Sequence, residues 1–244
     1  MKWRQRLIGL GTTATLLSIL ALVIAGPGHR FGIMPVKLAV LGSALAAVIA
    51  LIALLLLVVA LVLPKGKTPI GKHLIMLVIA GAITAQMGMA IAAGAKVPQI
   101  HDISTDTSNP PQFDLLAGAR AGAANPLAYA GPEVAALQAE AYPNVQPLLV
   151  DAPVASVLEA AAAVAGAEGW SVVQRADAMQ IEATVTSFWF GFKDDVIIRA
   201  QAQGDQTRVD IRSKSRVGKS DLGANAARIE LLLNKIPARL AAGS

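Results

Sequence analysis

The sequence predicts two parts: an α-helical membrane part of three transmembrane helices, and a small α+β domain with an antiparallel four-stranded sheet and helices on one face. Three observations predict this. The first 96 residues contain three long apolar runs. All 16 acidic residues fall after position 96. Beyond position 150, apolar residues recur first with helical spacing, then in alternation, then with helical spacing again.

A helix needs about 20 apolar residues to cross a hydrocarbon core of roughly 30 Å. In the region 1–96 the runs 7–25, 38–63 and 73–95 meet that requirement. The second exceeds it, so tilt is expected. The third is rich in Gly and Ala. Its Gly81, Ala85, Gly88 and Ala92 share one face, where small side chains let helix backbones approach closely. Gln86 is costly against lipid and should face a helix, of this chain or of a partner. Gly81, Ala85, Gln86, Gly88 and Ala92 are thus a candidate helix-packing face. No Asp, Glu, Lys or Arg interrupts a span, which argues against a transporter or pump.

Charge sets the orientation. Residues 1–96 carry nine Lys or Arg and no acid; the remainder carries 12 basic and 16 acidic residues, a net of −4. Lys2, Arg4, Arg6, Lys65, Lys67 and Lys72 fall on one side, and Arg30, Lys37 and Lys96 on the other. The bias puts the N-terminus in the cytoplasm and residue 97 onward outside, in the periplasm or an equivalent lumen. The basic charge is therefore a topology signal, and nucleic acid is not an expected partner. A competing reading makes the first run a signal peptide cleaved after Val23-Ile-Ala25. With no Cys, disulfides and thiolate chemistry are excluded.

Residues 97–150 read as a Pro- and Ala-rich linker, broken by Asn109-Pro-Pro111, Asn125-Pro126, Gly131-Pro132 and Tyr142-Pro143. Only 133–141 reads as a helix. Scattered Phe113, Leu115, Leu116, Tyr129, Tyr142 and Leu148 imply that the linker wraps the domain. The domain itself spans 151–244. Asp151-Ala-Pro153 predicts a capped helix start, and Val154, Val157, Leu158, Ala161 and Val164 continue with helical spacing. Strands follow at 170–175, 179–185, 194–201 and 207–216, with a turn at Gly204-Asp205. Ser220 or Asp221 caps a last helix with Leu222, Ala226, Ile229, Leu233, Ile236 and Leu240 on its apolar face.

The run Asp194-Asp-Val-Ile-Ile-Arg199, together with the segment Thr207-Arg-Val-Asp-Ile-Arg-Ser-Lys-Ser-Arg-Val-Gly-Lys-Ser-Asp-Leu-Gly, resembles the domain of unknown function 1499 family. Ile100-His-Asp-Ile-Ser-Thr-Asp106, Pro110-Pro-Gln-Phe113 and Ala141-Tyr-Pro143 are similar to its upstream elements. The resemblance implies a membrane-associated or lumenal domain, in the three-helix form found in some proteobacteria, and implies no activity.

Three features are candidate sites. On the last strand Arg208, Asp210, Arg212, Lys214 and Arg216 share a face with Glu182, Asp195 and Arg199 of neighbouring strands. That face is either a solvated ladder of charge pairs or an anion or partner patch built on Arg199, Arg208, Arg212, Lys214 and Arg216. Phe188, Trp189, Phe190 and Phe192 crowd one loop. Alternation cannot bury all four, so they are a candidate membrane or partner contact. His101, Asp102 and Asp106 are ligand types for a metal but lack a third cluster. Gly218-Lys219-Ser220 lacks the earlier Gly of a phosphate loop, because position 213 is Ser. Asp194 and Asp195 point to opposite faces, so they are not an acid–base pair. No catalytic, cofactor or metal site is expected. The expectation is a non-catalytic accessory subunit of a larger respiratory or photosynthetic membrane complex, with membrane lipids and other integral membrane subunits as partners. The alternative is a lipid- or anion-binding envelope protein.

Overall fold

The structure is a computed structural model that describes residues 2–63, 71–175 and 179–243. The chain divides into two compact units. One comprises Met1–Ala95 with Phe188–Gly191; the other comprises Lys96–Ser187 with Phe192–Ser244.

The first unit contains α1 (Lys2–Arg30), α2 (Val36–Val62) and α3 (Gly71–Gly94). All three are long and apolar enough to cross a membrane by length and composition. α1 extends past the expected apolar span at both ends, whereas α2 and α3 begin two residues before theirs and end one residue short. Lys65 and Lys67 lie outside the described residues. Small residues bring α1 and α2 together. Ala39, Ala46, Ala50 and Ala53 of α2 are buried. A Cβ on Gly11 of α1 would stand 2.7 Å from Leu57 Cγ, so only Gly fits there. Buried Thr15 and Ser18 donate to Gly11 O at 2.9 Å and Thr15 O at 2.8 Å, which satisfies both hydroxyls without leaving the helix. α3 is far less covered, with Leu74, Ile75, Val78, Met89 and Ile91 exposed.

The second unit is α+β. Its sheet has six strands rather than the expected four: β1 (Asp102–Ser104), β2 (Leu148–Val150), β3 (Ser171–Gln174), β4 (Gln180–Thr186), β5 (Lys193–Gln203) and β6 (Gln206–Ser215). The order is β1-β6-β5-β4-β3, and β2 also pairs with β6. Every pairing is antiparallel. The two extra strands come from the segment read as linker. Each has only three residues, too few to display alternation. The β5–β6 turn uses Gly204 at φ 60°, as its hairpin position requires.

Among the described residues three α-helices complete the unit, α4 (Pro132–Ala141), α5 (Val154–Ala167) and α6 (Ala224–Gly243), with a 3-10 turn at Gly118–Arg120. Pro153 occupies the N-cap of α5 without a side-chain bond, so Asp151 is not the cap. Asp221 does serve α6, accepting from Gly223 N at 2.8 Å and Asn225 N at 3.1 Å. Leu222 has φ 55° and is exposed, outside the apolar face of α6; Leu232 is buried in that face.

The core lies between α5, α6 and one sheet face. Val157, Leu158, Ala161 and Val164 meet Ile229, Leu232 and Ile236 over Ile181, Val196, Ile198, Val209 and Ile211. These strand residues alternate with the charged set, so the other sheet face is left ionic.

Candidate functional site

The ionic face is covered. The segment 105–130 crosses it as a strap, and nearly every polar group of the strands beneath is bonded to that strap or to a strand neighbour. Register places Asp102 opposite Lys214 and Asp195 beside it on the other flank of β6. Asp102 accepts from Arg212 Nε at 2.8 Å, Arg212 Nη2 at 2.9 Å, Lys214 Nζ at 2.8 Å and Ala130 N at 3.2 Å. Asp102 and Arg212 are fully buried and Lys214 is 1% exposed. Arg212 also donates to Pro111 O and Leu127 O, and Lys214 to Ala128 O. The Arg212 guanidinium lies 5.3 Å from the Phe113 ring and 5.4 Å from that of Tyr129. Aromatic faces and carbonyls thus absorb the charge that a single carboxylate does not neutralise.

A second cluster surrounds Asp195. Arg120 of the strap donates to it at 2.5 Å, Arg216 at 2.8 Å to each oxygen, and Thr184 at 2.7 Å. Burial alone would raise this carboxyl, but the bonds from Arg216, Thr184 and Arg120 outweigh it and hold Asp195 below the usual carboxylate range. A third cluster joins Asp210 to Arg199 at 2.9 Å and to Arg208 at 3.0 Å, with Asp106 of the strap bonded to Arg208 at 2.9 Å. Glu182 has no cation among the described residues. Instead it accepts three backbone N–H groups of the strap: Asp114 N at 2.7 Å, Leu115 N at 3.1 Å and Leu116 N at 2.8 Å. That carboxylate pins the strap to β4.

Burial pushes Lys214 down from its ordinary value, although Asp102 pulls the other way. Burial, reinforced by Asp102 and opposed by Arg212, pushes Tyr129 up to about 12. The Tyr129 hydroxyl and Arg120 Nε are buried and find no partner among the described residues.

The five cations of the predicted anion patch are therefore brought together, but each binds the chain's own carboxylates. The solvated ladder differs from the structure as well: the cross-strand pairs form, and the strap excludes water from most of them. His101, Asp102 and Asp106 do not converge. Asp102 and Asp106 hold cations, while His101 Nδ1 lies 3.4 Å from Lys219 O. Asp194 and Asp195 sit on opposite faces, Asp194 bonding Arg228 at 2.9 Å. On the helix side Asn225 links Ser213 and Ser215. In the aromatic loop Phe188 is 85% exposed and Trp189 40%, while Phe190 and Phe192 are half-buried. Phe188–Gly191 belong to the helical unit, where Arg30 donates to Phe188 O at 2.6 Å. On α3, Gly81 is half-buried, while Ala85, Gln86, Gly88 and Ala92 are exposed.

Sequence reasoning missed Asp102, Arg120, Glu182 and Gln138 as organisers. Gln138 of α4 bonds both backbone groups of Ser104, donating to its O at 2.6 Å and accepting from its N at 2.9 Å. The side-chain amide thereby closes the free edge of β1. An available signal was the cation excess on β6, which demands acids from elsewhere in the chain.

Taken together, the class is a strapped α+β domain, with a hydrophobic core on one sheet face and a sealed ionic network on the other, carried after three apolar helices. The model of the family described as "protein of unknown function (DUF1499)" matches residues 102–236, more than half of the chain, and the chain belongs to that family. The matched stretch begins at Asp102 and includes the strap. No curated protein matches the chain.

Proposed function

We propose that this protein is a non-catalytic accessory subunit of a larger integral membrane complex of respiratory or photosynthetic type. Its helices pack at the edge of the complex in a bacterial inner membrane, and its domain lies on the periplasmic face. The observation that carries the reading is the uncovered face of α3. Ala85, Gln86, Gly88 and Ala92 are exposed while α1 and α2 bury their small residues in each other. Gln86 has no hydrogen-bond partner among the described residues, and an amide at that depth calls for one from a neighbouring helix. One helix suffices to anchor a domain; a third with a small-residue face and an intramembrane amide suits assembly.

The lipid- or anion-binding alternative draws no support from Arg199, Arg208, Arg212, Lys214 and Arg216, which are engaged internally. Native electrophoresis of membranes dissolved in mild detergent tests the proposal. The expected result is migration well above the 25.1 kDa chain, and partial release on Gly88→Leu, which fills the close-approach surface. Migration of the unaltered chain as a free monomer would overturn it.

A further inference from the structure

The helical unit contains a buried cation with no possible counter-charge of its own. Arg4 is only 6% exposed. Its Nε donates to Ala60 O at 3.0 Å, a carbonyl in the last turn of α2. Its Nη1 is buried and has no partner among the described residues. Arg is charged at every relevant pH, and residues 1–96 contain no Asp or Glu. The carbonyl of a helix C-terminus offers a partial charge, which does not neutralise a guanidinium.

The same place holds a second unsatisfied group. Arg4 and His73 line one narrow crevice whose walls are Ile8, Leu57, Leu61 and Leu77. His73 Nδ1 is buried without a partner among the described residues. The enclosed room is about 10 Å³, the size of one water molecule or one phosphate oxygen. The crevice lies where α1 begins, α2 ends and α3 begins, at one end of the three helices. Crevices of this kind, basic and set between membrane helices near the interface, suit lipid head groups.

We infer that Arg4 and His73 form a binding site for the phosphate of an anionic phospholipid, one oxygen entering the crevice and the rest of the head group staying at its mouth. The acyl chains then run along the exposed apolar surface of the helices. The inference rests on the helices spanning a membrane and is independent of any partner subunit.

The test uses the full chain, purified in a neutral detergent and delipidated. Thermal unfolding is followed with added phosphatidylglycerol, phosphatidylcholine or soluble glycerol phosphate. Phosphatidylglycerol should raise Tm in a saturable way, with phosphatidylcholine giving a much smaller shift and glycerol phosphate none. Arg4→Gln should weaken the apparent phosphatidylglycerol affinity about tenfold, the worth of one charge-assisted bond. Arg4→Lys keeps the charge and should keep the preference, and it serves if Arg4→Gln does not fold. Arg6→Gln should change nothing. Equal response to both lipids, an equal response to glycerol phosphate, or unaltered affinity in Arg4→Gln would overturn the inference. So would a copurifying polypeptide that leaves on Arg4→Gln while the phosphatidylglycerol response is absent, because the counter-charge would then be a protein carboxylate.

Discussion

Replacing Asp102 by Asn should be among the most destabilising single changes in the domain. The carboxylate accepts four hydrogen bonds, three of them from cations that are essentially fully buried. Asn keeps the shape, removes the charge and turns an NH2 toward other donors. Breaking a buried ion pair from one side costs about 3–5 kcal/mol, because the partner's charge is left uncompensated. A domain with a total stability of about 5–15 kcal/mol loses a large fraction of it. Lys214 can relieve the strain by deprotonating. Burial already depresses Lys214, and loss of Asp102 depresses it further. Between that lowered value and the ordinary one of about 10.5, the unfolded variant binds more protons than the folded one, so the deficit narrows as pH rises. Urea unfolding of residues 96–244, followed by circular dichroism at several pH values, measures both effects. A triple variant, Asp102→Leu with Arg212→Met and Lys214→Met, should lose less than the single change, because no member of this cluster is left as an unpaired buried charge. A cost below about 1 kcal/mol for Asp102→Asn would refute the claim that the strap seals this network.

Other consequences are as specific. Glu182→Gln should cost about 2 kcal/mol in the same urea assay, since an amide donor then faces strap N–H groups, and proteolysis should cut within 105–130 sooner. Gln138→Ala leaves the N–H and C=O of Ser104 unbonded, which should cost roughly 2–4 kcal/mol and promote concentration-dependent association through β1, visible by light scattering. The chain has two Tyr, and both phenols are raised above 10.0, chiefly by burial, Tyr129 to about 12. Phenolate absorbance of the folded protein should therefore stay low at pH 10. A raised folded value means that the unfolded chain ionises first, so the Tyr129 contribution to stability should decline from pH 10 towards about 12.

Much of this architecture was legible in the sequence for physical reasons. Long uncharged runs have few alternatives to membrane-length helices, and the alternation of Val209 and Ile211 with Arg208, Asp210 and Arg212 assigned both faces of β6 correctly. The fate of the ionic face was not legible. Whether a row of cations meets water, a ligand or the chain itself depends on contacts 75 to 110 residues distant, such as Arg120 with Asp195 and Asp102 with Arg212. No local spacing encodes those. β1 and β2 escaped because three-residue strands have no period, and the strap's many Pro residues suggest a tether as readily as a cover. Phe113 and Tyr129 gave the hint that the segment packs, and their role beside Arg212 is what that hint meant.

The most direct test of an assembly role is a photo-reactive amino acid placed at Ala92 of α3, on the uncovered face, and irradiated in native membranes. A discrete covalent adduct with another integral membrane polypeptide is expected, lost or weakened when Gln86 is changed to Leu, an interhelical hydrogen bond in this setting being worth about 0.6 kcal/mol or roughly threefold in affinity. Adducts with lipid alone, at full expression and in unperturbed membranes, would contradict it.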